Sequence, residues 1–154
     1  SIAVFIAAPY KKIFSASFAM FSSEYRSIDN IANFLNDIYK ISKKHKLNIV
    51  MKPKKTDIYQ ISKLFYSRTN HVFEDKKTYL IDENISPKKY VDRCLCSVNF
   101  PFSSTAFLVN NIENSIFFDP TSELDIDDEA AAGIRLINNL NDLDKYIYSR
   151  IYKS

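Results

Sequence analysis

Three consecutive hydroxyl side chains, Ser103, Ser104 and Thr105, follow the apolar run 97-SVNFPF-102, where a predicted strand passes into a predicted helix. A helix start leaves backbone N–H groups unpaired and carries the positive end of the helix dipole, so it can bind a phosphate group. One hydroxyl at this point is explained by an N-cap, whereas three are explained less well. The pattern therefore leaves two interpretations, a helix cap or an anion site.

Lysines cluster after two of the predicted strands, in 10-YKK-12 and in 52-KPKK-55. A lysine in either cluster could neutralise a diphosphate as a compact point charge. Each lysine taken alone is better explained as a solvated surface residue, whereas the clusters as a whole fit either interpretation.

Other arrangements that could do chemistry are weaker. The chain has one glycine, Gly133, so it contains neither a P-loop nor a GxGxxG dinucleotide motif. Asp125 and Asp127 have a spacing that could bind a metal–diphosphate, but they precede a predicted helix, where acidic residues stabilise the dipole. His71 lacks a carboxylate partner by spacing, and His45 is interpreted as solvated. We therefore expect no metal site and no cofactor.

Composition narrows the class of protein. The 154 residues carry a net charge of +3, which suits a phosphate-bearing ligand but is too dispersed for nucleic acid. Cys94 and Cys96 are too close in sequence for an ordinary disulfide, so we expect reduced thiols and a cytoplasmic protein. No apolar run approaches the roughly 20 residues of a membrane helix. Because the chain starts with Ser and opens directly on a strand, we expect a domain excised from a larger two-domain protein.

Strands and helices alternate along the chain. Buried-strand patterns are predicted at 2–6, 48–52, 78–82, about 95–99, 115–119 and 134–137. Helical patterns are predicted from Ser27 to about 46, at about 57–67, 87–91, 104–112 and 130–132, and from about Asn141. This alternation predicts βαβ units, and hence a single α/β domain over 1–154. The expected fold is a Rossmann-like, doubly wound parallel sheet of five or six strands with helices on both faces.

Prolines mark the ends of four predicted strands, namely Pro9, Pro53, Pro101 and Pro120. Because such sheets bind ligands beyond the carboxyl ends of their strands, the loops that begin at these prolines are the expected binding edge. The aromatic segment 10–25 is interpreted either as a loop over the ligand or as a surface that meets another domain.

Three segments resemble the C-terminal half of GT-B glycosyltransferases, in particular the Kdo-transferase-like enzymes of bacterial capsule and lipopolysaccharide biosynthesis. They are 99-NFPFSSTAFLVNN-111, 116-IFFDPTSELD-125 and 133-GIRLINNLNDLDKYI-147. The resemblance implies a donor-binding domain for a nucleotide sugar such as a CMP-, UDP- or GDP-sugar. It also implies no bound metal, and an acceptor-binding N-terminal domain that this chain lacks. The isolated domain is then expected to bind donor weakly and to transfer little, and the full-length protein to associate peripherally with the inner face of the membrane.

The resemblance also suggests roles for individual residues. It implies that the three hydroxyls of 103–105 face the donor phosphates, and that Lys52 and Lys54 approach phosphate or sugar. It implies that Asp119 and Glu123 lie near the ribose or base. No catalytic residue is assigned. Two alternatives remain open, namely a non-catalytic nucleotide- or phospho-ligand-binding module of the same fold, and a structural or interaction domain.

Overall fold

The computed structural model describes residues 1–7, 25–52, 63–82 and 84–153. Six strands form one parallel sheet in the order β3-β2-β1-β4-β5-β6. The strands are β1 (Ile2–Phe5), β2 (Ile49–Met51), β3 (Thr78–Leu80), β4 (Ser97–Asn99), β5 (Ser115–Phe118) and β6 (Arg135–Ile137). The predicted Rossmann-like α/β fold is therefore confirmed, with six strands.

Within the described ranges, four α-helices connect or follow these strands: α1 (Ile28–Lys44), α2 (Lys63–Phe73), α3 (Lys88–Val91) and α4 (Leu140–Lys153). The predicted cap of α1 is confirmed, because Ser27 Oγ accepts a hydrogen bond of 3.1 Å from the Asn30 backbone N–H. Capping satisfies one of the N–H groups that a helix start leaves unpaired, and so defines where α1 begins. No helix in the described ranges is long and apolar enough to cross a membrane.

The two faces of the sheet are covered differently. The long helices α1, α2 and α4 pack on one face, where alternate strand residues such as Val4, Val98 and Ile116 are fully buried. In the part of the chain that the structure describes, the other face is covered by the four-residue α3 and by short 3-10 turns. Successive side chains of a strand point to opposite sides of the sheet. A strand of consecutive apolar residues, such as β1, therefore presents apolar side chains on both faces.

The segment after β4 differs from the prediction of one helix over 104–112. It contains two 3-10 turns, Ser104–Phe107 and Ile112–Asn114. Contacts with α3 replace helical hydrogen bonds between them: Lys88 Nζ donates to the Leu108 carbonyl at 2.7 Å, and Asp92 Oδ1 accepts from the Asn110 N–H at 2.8 Å. The predicted helix at 57–67 also differs, since α2 begins at Lys63 in the described range and continues to Phe73, while 57–62 lie outside that range.

Candidate functional site

The strand order reverses between β1 and β4, which are adjacent although they are the first and fourth strands in sequence. From β1 the chain moves outward to β2 and β3, and then it returns to the other side of β1. In open α/β sheets, the crevice at such a switch point, beyond the carboxyl ends of the strands, is where ligands bind. The turn that leaves β4 at Phe100 therefore lies at the candidate site.

Asn99, the last residue of β4, holds this turn through its buried side chain. Its side chain is fully buried, and its Nδ2 lies 2.7 Å from Ser97 Oγ, 3.1 Å from Ser115 Oγ and 3.2 Å from the Ile116 carbonyl. A buried amide without such partners would carry a large desolvation cost. The cluster therefore fixes the Asn99 side chain and leaves its Oδ1 to accept a further hydrogen bond.

Thr105 supplies that hydrogen bond, because its Oγ1 donates to Asn99 Oδ1 at 2.9 Å. Ser103 Oγ lies 3.0 Å from Thr105 Oγ1. Since the single hydroxyl proton of Thr105 goes to Asn99, Ser103 must be the donor in this second contact. Ser103 stands at the N-cap position of the 3-10 turn, but its side chain makes no capping hydrogen bond. Two of the three hydroxyls thus hold the turn onto β4.

Ser104 differs from its two neighbours. It is exposed, and its hydroxyl has no hydrogen-bond partner among the described residues. Of the three hydroxyls at this turn, Ser104 is the one that remains available to a ligand.

The turn itself contains an unusual backbone conformation. Phe102 has φ +63°, in the left-handed region that bulky residues rarely adopt. Its position follows Pro101, and the Ser103 N–H donates to the Phe100 carbonyl at 3.3 Å, which closes a β-turn. The Phe102 ring lies 5.8 Å from the Phe117 ring, a contact that offsets part of the strain. Backbone strain of this kind clusters at functional sites.

Asp119 follows β5 and is fully buried. Its Oδ1 accepts from the Tyr25 hydroxyl at 2.5 Å, from the Thr121 N–H at 2.9 Å and from Thr121 Oγ1 at 2.6 Å. Its Oδ2 accepts from the Leu124 N–H at 2.9 Å. The carboxylate therefore holds the 119–124 turn together, and its oxygens are occupied by protein donors.

Tyr25 connects the turn after β4 with the turn after β5. Its ring packs 5.3 Å from the Phe100 ring while its hydroxyl donates to Asp119. Burial and, next, the hydrogen bond to Asp119 raise the pKa of Tyr25 far above its usual value. The phenol therefore stays neutral and remains a hydrogen-bond donor at physiological pH.

The other predicted site residues are spread along the same edge. Lys52 follows β2, and its Nζ donates to the Ile85 carbonyl at 2.8 Å, so it connects the ends of β2 and β3. Lys54 lies outside the described residues. Glu123 is exposed, and its N–H lies 3.2 Å from Thr121 Oγ1. In the described part of the edge, the structure thus brings Ser103 and Thr105 together, and it separates Lys52 from them by β1.

Asn99 and Tyr25 are central to this edge, although neither was predicted from the sequence. A signal for Asn99 was present, since polar Ser97 and Asn99 alternate with apolar Val98 and Phe100. Alternation in a buried strand places both polar side chains on one face, where each can be the hydrogen-bond partner of the other. No comparable signal existed for Tyr25, whose partner is 94 residues away in sequence.

The histidines and the aspartates that the sequence offered as weaker candidates for catalysis or metal binding have contacts within the protein. The interpretation of His45 as solvated was wrong, because its Nε2 lies 2.6 Å from Asp144 Oδ1 and links α1 to α4. The His71 ring packs against Tyr39 at 5.3 Å. Asp125 Oδ1 accepts from the Asp127 N–H at 3.0 Å, as in a turn. The described residues contain no group of three or more potential metal ligands.

A parallel sheet that reverses its strand order beside a fixed polar turn defines a Rossmann-like α/β protein. Residues 1–147 match the model of a family described as polysaccharide biosynthesis PFTS motif proteins. Because the match covers nearly the whole chain, the chain belongs to this family, which associates it with polysaccharide biosynthesis. No curated protein matches the chain.

The family description names a PFTS motif. When these letters are read as residues, the best counterpart in the chain is 101-PFSS-104, where Ser103 stands in place of threonine. This stretch contains both the strained Phe102 and the exposed Ser104. This stretch, which shares three of the four letters of that motif, forms the turn at the switch point of the sheet.

Proposed function

We propose that this chain binds the nucleotide-sugar donor of a glycosyltransferase that acts in surface polysaccharide biosynthesis. The observation that supports it most directly is the reversal of strand order at β1 and β4, beside the 100–105 turn. Doubly wound sheets bind nucleotides at this point. Membership of a polysaccharide biosynthesis family makes a CMP-, UDP- or GDP-sugar the expected ligand.

In this proposal the three hydroxyls have different roles. Ser104, which is exposed and unpartnered within the described residues, contacts a donor phosphate. Ser103 and Thr105 shape the turn through Asn99, and they act on the donor by holding Ser104 in position. Fixed donors of this kind stabilise the negative charge that develops on the leaving phosphate during glycosyl transfer.

The charged residues of the edge complete the proposed donor site. Lys52 and Lys54 approach the phosphate or the sugar from the end of β2. Glu123, whose side chain is exposed, lies near the ribose or base. Asp119 contributes to the same region by holding the 119–124 turn on which Glu123 lies. The acceptor and the catalytic base are assigned to a separate N-terminal domain, and no metal is assigned.

The test is the thermal stability of the chain with CMP, UDP, GDP and ADP. A ligand that binds only the folded state raises Tm by about 3–6 °C at tenfold excess over its Kd, for a domain of this size. We expect one nucleotide to produce this shift. Ser104→Ala should reduce the shift while leaving Tm without ligand almost unchanged, because the Ser104 hydroxyl has no partner in the described structure.

Ser67→Ala is the matched control. Ser67 is an exposed serine on α2, and its hydroxyl donates only to the Leu64 carbonyl, so its loss should leave the nucleotide shift intact. The absence of a shift with every nucleotide at millimolar concentration would contradict the proposal, as would an equal shift in the Ser104→Ala variant.

A transfer assay separates the proposed enzyme part from a non-catalytic binding module of the same fold. With the acceptor-binding domain present, we expect donor consumption that depends on Ser104. Nucleotide binding without donor consumption would favour the non-catalytic module, and neither binding nor consumption would favour an interaction domain.

A further inference from the structure

A cavity lies at the amino ends of the strands, where β5 and β6 begin, opposite the 100–105 turn. Its volume is about 290 Å³. Ser115 and Arg135 are the first residues of β5 and β6, and the second half of α4 closes the cavity. The lining consists of Ile112, Glu113, Ser115, Gly133, Arg135, Tyr146, Arg150 and Lys153.

Three of the lining side chains are cationic, namely Arg135, Arg150 and Lys153. Within the described residues, none of them forms an ion pair with a carboxylate. Glu113 is the one acidic residue of the lining, and it is exposed. Lys43 on α1, by contrast, has Asp75 as an acidic partner at 2.8 Å. The lining therefore carries three positive charges and one negative charge, and its cations form no ion pair among the described residues.

Protein contacts place both guanidinium groups of the lining close to the Tyr146 ring. Arg150 Cζ lies 5.1 Å from the centre of the Tyr146 ring, and Arg135 Cζ lies 5.9 Å from the same ring. The ring is fixed in turn, because the Tyr146 hydroxyl donates to the Glu113 carbonyl at 2.9 Å. Cation–π attraction thus helps to fix both guanidinium groups against one ring.

Arg150 also has an unsatisfied donor. Its Nη1 donates to Asn114 Oδ1 at 3.0 Å, which fixes the plane of the guanidinium group. Its Nε is buried and has no hydrogen-bond partner in the structure as described. Buried polar groups normally have partners, so this N–H is one that the described part of the protein leaves unsatisfied. A guanidinium group matches the planar geometry of carboxylate and phosphate oxygens.

Asp142 compensates Arg135 in part from outside the cavity. The attraction of Arg135 contributes to the lowered pKa of the Asp142 carboxyl, after hydrogen bonds from Asn139 and the charge of Lys145. Asp142 does not line the cavity, and it forms no ion pair with Arg150 or Lys153 within the described residues. The positive charge of those two residues remains uncompensated.

We propose that this cavity is a binding site for a small oxyanion, a carboxylate or phosphate borne by a molecule about the size of a monosaccharide. The cavity is larger than a single phosphate ion needs, and it lies at the small end of the range for small-molecule sites. It begins at the amino ends of β5 and β6, whereas the proposed donor site lies at the carboxyl ends of the strands. The two sites therefore lie at opposite ends of the strands.

The test measures Tm of the chain with inorganic phosphate, glucose 1-phosphate and glucuronate, at constant ionic strength set with sodium chloride. We expect at least one anion to raise Tm by about 3–6 °C at tenfold excess over its Kd. Arg135→Gln and Lys153→Gln should each lose most of this shift. Both residues are exposed, so the variants should fold. The three anions separate a phosphate source from a carboxylate source.

Lys145→Gln is the control, because Lys145 is an exposed cation of the same helix that does not line the cavity. It should keep the full shift, and so should Ser104→Ala at the other edge. The proposal is overturned if no anion raises Tm at a concentration on the order of 50 mM, which is about 50 times the Kd of a typical weak site. It is equally overturned if Arg135→Gln and Lys153→Gln retain the shift, since the anion would then bind elsewhere.

Discussion

At the scale of single residues, two buried polar side chains hold the turns that follow β4 and β5 in the candidate site. Asn99 joins β4 to the 103–105 turn, and Asp119 joins the 119–124 turn to Tyr25. Both side chains are fully buried, so their hydrogen bonds cannot be replaced by water when a partner is removed. The exposed hydroxyl of Ser104 thus sits on a turn whose shape is set by residues that a ligand does not touch.

Asn99→Leu should lower the free energy of unfolding by about 2–4 kcal/mol, because it leaves the Thr105, Ser97 and Ser115 hydroxyls without their shared partner. Urea titration followed by far-UV circular dichroism measures the loss. Asn141→Ala, at an exposed position on α4, serves as the control and should change stability by less than about 0.5 kcal/mol. Equal stability of the two variants would show that the Asn99 cluster does not hold the turn.

Tyr25→Phe should cost about 1–3 kcal/mol at pH 7, since it removes a donor from a buried carboxylate. The effect depends on pH with a definite sign. The pKa of Tyr25 is raised in the folded state, so its contribution is complete below its usual value of 10.0 and is lost as pH rises above it. The stability difference between the parent and the variant should therefore shrink above about pH 10 in urea titrations. A difference that stays constant to pH 11 would contradict this account.

At the scale of elements, α1 and α4 are joined at their ends by charged side chains. Asp144 on α4 accepts from Lys44 Nζ at 2.5 Å and lies 2.6 Å from His45 Nε2, at the end of α1. Hydrogen bonds from Lys44 and then His45 lower the pKa of the Asp144 carboxyl. The sequence pattern of each helix predicts its apolar face, but the pairing of these charges follows from how the helices meet on the sheet.

Asp144→Asn should lower the stability of the chain by about 0.5–1 kcal/mol at pH 7, because the pair is partly exposed. The depressed pKa of Asp144 means that its contribution is present above the usual value of 3.8 and disappears as pH falls below it. The stability curves of parent and variant should therefore converge at acid pH. Glu74→Gln, at an exposed carboxylate without an ion pair among the described residues, should change stability little at either pH. Curves that stay parallel down to pH 2 would rule out the linkage.

At the scale of the whole molecule, one apolar cluster extends over both halves of the sheet. It joins α1, α2 and α4 to residues of β1, β2, β4, β5 and β6. A core that spans the switch point should unfold as one unit, because neither half buries its apolar face alone. The two turns of the candidate site are then held by the same packing that holds the domain.

Leu143→Ala on α4 should lower the free energy of unfolding by about 2–5 kcal/mol, because Leu143 is buried in this cluster. Tyrosine near-UV and backbone far-UV circular dichroism should shift to the same new midpoint if the domain is cooperative. Leu140→Ala provides a matched comparison on the same helix, since Leu140 is 38% exposed and should cost far less. Separate midpoints for the two probes would indicate that α4 unfolds independently.

The sequence by itself determined the class of fold and most of the strands and helices, because burial on both faces and helical periodicity are local patterns. It also pointed to the 100–105 turn, since a strand that ends at Pro101 and continues in three hydroxyls is visible without any partner. The strand order and the different roles of the three hydroxyls were decided only by the tertiary structure. The Thr105 side chain turns inward because its hydroxyl donates a hydrogen bond to the buried Asn99 Oδ1, whereas Ser104 stays exposed.

Contacts between distant residues account for the rest. Tyr25 and Asp119 are 94 residues apart, and Arg135 and Arg150 converge only because β6 and α4 pack against the same Tyr146 ring. Local propensity carries no information about such pairs, since they exist only after the sheet has ordered its strands and the helices have packed on it. The cavity at the amino ends of β5 and β6 and the hydrogen bond from Tyr25 to Asp119 are therefore properties of the folded chain.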